Sequence, residues 1–162
     1  MKQVASLLLA NEVYAAARAS VTDARPRRNL AVITCMDARI DVFAALGLHL
    51  GDAHVIRNAG GRVTSDVLRS LALSCHVLGV NSVVVMQHTK CGLAGVTDET
   101  LRQQTGADLG FLPIDDHTGA LNEDIQTLVD TPYLTPITAI AGFVYNVETG
   151  LIDNVVNWER VE

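Results

Sequence analysis

The stretch Leu30-Ala31-Val32-Ile33-Thr34, running straight into Cys35-Met36-Asp37-Ala38-Arg39, decides how the rest of the chain is read. Its first half is apolar and β-branched without polar alternation, which marks a strand covered on both faces, as in a parallel sheet. Residues 53–56 and 82–86 have the same character. Between those two runs lies a helix that Thr64 or Ser65 can cap and that Val63 can staple against Leu68. Val67, Leu68, Leu71, Ala72, Cys75 and Leu78 form its apolar face, and Gly79 stands where a C′ glycine is expected. A shorter helix is predicted over 40–46, stopped by Gly47. Strand, helix, strand, helix, strand implies right-handed crossovers and an α/β fold, a mostly parallel central sheet flanked by helices.

Downstream the pattern is looser. Helices are expected over 98–104 and 118–129, the second ended by Pro132 and Pro136, with loop over 108–116. Residues 138–147 and 151–156 read as a C-terminal strand pair around the turn Glu148-Thr149-Gly150. At the other end, residues 4–10 loosely imitate a secretory signal, but Asn11 and Glu12 interrupt the run. Leu7, Leu8, Tyr14 and Ala15 recur at helical spacing, so an amphipathic N-terminal helix is expected. Nothing approaches the roughly 20 apolar residues of a membrane span.

At 162 residues the chain is expected to form a single domain over 1–162. Aromatics are only 4%, so Val, Leu, Ile and Ala must build the core. A net charge of −6 gives no basic footprint, and nucleic acid is not an expected partner. Three cysteines are too few and too odd for a disulfide framework, and a reducing cytoplasm suits them.

The strand reading places the chemistry. Cys35 follows the first strand, Asn58-Ala59-Gly60-Gly61 follow the second, and His88-Thr89-Lys90-Cys91 follow the third. All three therefore reach the carboxyl edge of a parallel sheet, where open α/β folds bind ligands. Two thiolates and an imidazole without a fourth ligand describe a catalytic zinc site, because the open position takes water or substrate. Two thiolates leave such a metal near formal neutrality, so it acidifies its bound water less and help is needed to form hydroxide. Asp37 can give it by orienting the water, and Arg39 can hold Asp37 ionised and off the metal. Asn58, Gly60, Gly61 and Gly92 are candidates for the cleft wall, with Gly92 suiting a turn into a helix whose amides would face the Cys91 sulfur. Cys75, on the apolar helix face, reads as core. His49, His54, His76 and His117 lack ligand spacing and read as surface or capping residues.

Taken together, Cys35-Met36-Asp37-Ala38-Arg39, Arg57-Asn58-Ala59-Gly60 and His88-Thr89-Lys90-Cys91-Gly92 resemble the β-class carbonic anhydrases. The resemblance implies Cys35, His88 and Cys91 as ligands of one Zn2+ per chain and Asp37–Arg39 as a catalytic dyad. It implies reversible hydration of carbon dioxide to bicarbonate through zinc-bound hydroxide. It also implies a homodimer, or an assembly of dimers, in which the N-terminal helix packs on the partner. Short relatives hydrolyse carbonyl sulfide or carbon disulfide on the same metal set, and a non-catalytic zinc- or bicarbonate-binding module is a third reading. Phe43 and Tyr133 are the aromatics available to stand in for those that often line the family's cleft.

Overall fold

The computed structural model describes residues 2–161. Helix α1 spans Lys2–Ala17, and β1 (Leu30–Cys35), α2 (Val42–Ala45), β2 (Ala53–Asn58), α3 (Ser65–His76) and β3 (Ser82–His88) follow. Helices α4 (Asp98–Thr105) and α5 (His117–Asp130) precede β4 (Ala139–Tyr145) and β5 (Ile152–Glu159). The five strands form one sheet in the order β2-β1-β3-β4-β5. The first four are parallel, and β5 closes the edge antiparallel to β4. This is the mostly parallel sheet with a C-terminal strand pair that the sequence led us to expect.

Both faces of the sheet are covered, which is why its central strands carry no polar alternation. On one side α3 and α5 bury Val67, Leu71, Cys75, Leu121, Ile125 and Leu128 against Ala31, Ile33, Val83, Val85 and Ile140. On the other, Val32 and Met86 pack against α2 and the loops, through Ile40, Val42, Leu48, Leu93 and Ile114. Cys75 is buried in the first layer, and burial pushes its thiol up to about 11, so it is a protonated, inert core residue.

Three local expectations change. Thr64 occupies the N-cap of α3, but its side chain makes no capping bond. The last residue of α3 is His76, and the chain leaves it through a wider turn in which the Val80 amide donates to the Ser74 carbonyl. No helix starts at Gly92: a bridge between Ala94 and Ile114 intervenes, and α4 begins at Asp98 under a Thr97 cap.

Helix α1 departs most from its expectation. It forms, but it is not amphipathic. At 100° per residue Val4, Leu7, Leu8, Leu9, Val13 and Tyr14 point in several directions, and all six are exposed. A helix that is apolar all round belongs in an interior.

Candidate metal centre

The ladder ends bring the site together. Cys35 pairs with Asn58 at the end of β1 and β2, and His88 closes β3. Cys91 lies three residues on, after a turn in which Lys90 takes a left-handed conformation at φ 55°. The donor atoms of Cys35, His88 and Cys91 all lie within 4.8 Å of one another, and all three residues are buried. The two sulfurs are 4.0 Å apart.

Each donor is prepared differently. His88 is fully buried, and its Nδ1 lies 2.9 Å from the Thr89 carbonyl, so Nδ1 carries the proton and donates. Its Nε2 is then a lone-pair donor, and it is the one buried side-chain polar atom among the described residues without a hydrogen-bond partner. Burial lowers the His88 pKa, keeping the ring neutral. Burial raises that of Cys91, while the Leu93 backbone amide works against burial and favours the thiolate. The amide expected from a helix is thus supplied by a loop. A neutral imidazole with an orphan nitrogen beside two close, buried sulfurs fits a zinc ion, whose binding removes the thiol protons.

Asp37 and Arg39 stand next to the donors. Arg39 Nε and Nη2 donate to the two Asp37 carboxylate oxygens at 2.9 and 2.7 Å, and the Arg39 amide adds a third bond. Those contacts, the side-chain pair first, hold the Asp37 carboxyl well below the usual range. Arg39 Nη2 also donates to the Lys90 carbonyl, linking the two ligand loops. Asp37 Oδ2 lies 3.8 Å from His88 Nε2.

A cavity of about 300 Å³ opens over the donors, lined by Cys35, Met36, Asp37, Ala59, Gly60, Cys91, Gly92 and Leu93. Gly60 and Gly92 are therefore on the cleft wall, whereas Asn58 and Gly61 are not. The Asn58 side chain clips its own loop, accepting from the Arg62 amide and donating to the Arg62 carbonyl. Gly61 packs behind the ligands, against the backbone of β1 and β3. Phe43 lines a neighbouring groove with Arg39 and Arg57, and Tyr133 offers its carbonyl to His76. Met36, Ala59 and Leu93 were missed as wall residues, and their only signal was adjacency to residues already singled out. Of the other histidines, His54 bonds to Ser74 and the Ala24 carbonyl and His117 to the Gln87 side chain, while His49 is exposed beside Asp52.

Residues 30–114 match the family model described as carbonic anhydrase. Over 154 residues the chain is 36% identical to β-carbonic anhydrase 1 of Mycobacterium tuberculosis, covering 91% of this chain and 94% of that one. The chain belongs to the β-class carbonic anhydrases. Within the family its fold superposes on the crystal structure of a carbonic anhydrase from Streptococcus mutans with a TM-score of 0.86 at 38% identity. That match covers 96% of this chain and 99% of the other. A carbon disulfide hydrolase from Acidithiobacillus thiooxidans is 41% identical over 103 residues, but that spans 57% of this chain and 47% of the relative. β-Carbonic anhydrases use zinc, and the Cys-His-Cys arrangement here suits that ion.

Proposed function

We propose that this chain hydrates carbon dioxide to bicarbonate and a proton, reversibly, with zinc held by Cys35, His88 and Cys91. The observation that carries this reading is the convergence of three buried donors within 4.8 Å, beside a carboxylate gripped at both oxygens by Arg39. Zinc, when bound, supplies Lewis-acid activation of water. The chain does the rest. Asp37, kept ionised by Arg39, accepts a hydrogen bond from the attacking water and aims a lone pair at the substrate carbon. Ala59, Gly60, Gly92 and Leu93 give a small, largely apolar wall that fits a linear, uncharged substrate and limits competing water.

Stopped-flow carbon dioxide hydration on zinc-loaded protein tests the reading, with carbon disulfide offered in parallel and sulfide measured. Fast hydration supports it; sulfide release with negligible hydration would replace it with the hydrolase reading. The dyad makes its own forecast. Arg39→Ala releases Asp37 toward the metal position and unties the Lys90 loop, so kcat should fall about 100-fold, the scale of a small misplacement at a reacting centre. An unchanged kcat would count against the dyad.

The same proposal includes a cytoplasmic homodimer, or an assembly of dimers, in which α1 packs on the partner. It is supported by six large exposed side chains around α1, each worth about 2 kcal/mol when buried. That is of the order needed to offset the cost of association. No helix among the described residues is long and apolar enough to cross a membrane. Deleting residues 2–17 should turn the sedimenting species into a monomer, and a truncated chain that still sediments as a dimer would remove α1 from the interface.

A further inference from the structure

Arg57 sits on the edge strand β2, and its guanidinium is not spent on a carboxylate. Nε donates to the Cys35 carbonyl at 2.9 Å, Nη2 to the Asp37 carbonyl at 2.6 Å and Nη1 to the Ile40 carbonyl at 3.3 Å. These three acceptors belong to one turn, which carries a metal donor and both members of the dyad. The turn's other ties are the Met36 amide to the Asn58 carbonyl of β2, the Ile40 amide to the Asp37 carbonyl, and the Arg39 amide and guanidinium to the Asp37 carboxylate. The remaining anchor is on the far side, where Arg39 reaches the Lys90 carbonyl.

We propose that Arg57 is a positioning residue for the reaction, the template around which the 35–40 turn is wound so that Asp37 stands at a set distance from the metal donors. The inference deepens the zinc reading above and rests on it. A planar fork with donors diverging in one plane can serve three main-chain carbonyls at once. A lysine ammonium carries the same charge on a single nitrogen and cannot reproduce that geometry. Because β2 is at the sheet edge, water can take over the carbonyls when the guanidinium is removed. The fold then survives while the turn loses its definition.

The test compares wild type, Arg57→Ala and Arg57→Lys for apparent zinc affinity by chelator competition, for kcat and KM, and for response to added methylguanidinium. Both variants should bind zinc about 10- to 100-fold more weakly and lose kcat on the same scale, as for other residues that orient metal ligands. KM should hold, since Arg57 does not line the cavity above the donors. Methylguanidinium should restore kcat to Arg57→Ala and leave Arg57→Lys unimproved. If Arg57→Ala does not fold, Arg57→Lys, which keeps stem and charge, carries the comparison. Wild-type zinc affinity and kcat in Arg57→Lys would overturn the proposal, as would an Arg57→Ala loss that methylguanidinium leaves untouched. A wild-type chain that binds zinc but hydrates no carbon dioxide would sink the assigned reaction instead, and the affinity comparison would still decide the role of Arg57.

Discussion

Cys91→Ser is expected to give a folded protein that holds far less than an equivalent of zinc and hydrates carbon dioxide more than about a thousandfold more slowly. The substitution nearly preserves shape, so Leu93, Ile114 and Met86 keep their packing partners. What changes is the donor. A buried serine hydroxyl does not ionise at neutral pH, so the site keeps one thiolate and one imidazole, too few to retain zinc against solvent. Without the metal the chemistry loses the Lewis-acid activation that lowers the pKa of a bound water by several units. Metal analysis, stopped-flow hydration and circular dichroism on one preparation check all three parts. Cys75→Ser supplies the contrast. That thiol is already protonated in a dry layer between α3 and the sheet, so zinc content should be untouched while the fold loses about 1–3 kcal/mol for burying a hydroxyl. Full zinc occupancy in Cys91→Ser would remove Cys91 from the ligand set.

The contrast between those two cysteines was legible in the sequence, because period and position differ. Cys75 recurs at helical spacing among apolar residues, whereas Cys35 and Cys91 each stand just beyond a β-branched run. Strand ends were less legible. Arg57 and Asn58 continue β2, and Gln87 and His88 continue β3, yet being polar they break the apolar pattern that announces a buried strand. They are polar because the sheet edge is where the site is built, so the pattern fails where function begins. Helix α1 was legible as a helix and misread as amphipathic, since periodicity presumes one buried face and this helix is apolar on every side. The contacts of Arg57 could not have been read at all. They go to main-chain carbonyls, which every residue possesses, so no residue type in the partner turn betrays them.

Gly61→Ala is expected to be the most destabilising single methyl group in the chain's site, and the reason lies in what surrounds it. A Cβ on Gly61 would stand 2.9 Å from the Cys35 nitrogen, 2.9 Å from the Thr34 carbonyl carbon and 3.0 Å from the Met86 oxygen. All three atoms are backbone, in the two central strands, at the point where Thr34 Oγ1 also donates to the Met86 carbonyl. None can swing away as a side chain would; relief requires parting the ends of β1 and β3, which carry Cys35 and His88. The residue also sits at φ 67°, a left-handed conformation that a Cβ penalises by about 1–2 kcal/mol before any clash. Adding overpacking of about 1–3 kcal/mol gives a loss near 3 kcal/mol. For a chain of this size that is a drop in Tm of about 6–12 °C. Gly60→Ala should be milder although Gly60 shares the positive φ, because its Cβ would meet first the Leu93 Cδ1 atom, the mobile end of a side chain. Its effect should appear in the cleft, as a raised KM, more than in stability. Thermal denaturation and chelator competition on both variants separate the cases: Gly61→Ala should lose Tm and zinc affinity together, because the clash lies between the strand ends that present the ligands. A Gly61→Ala protein with wild-type Tm would mean that β1 and β3 can part at no cost, which the packing against Gly61 contradicts.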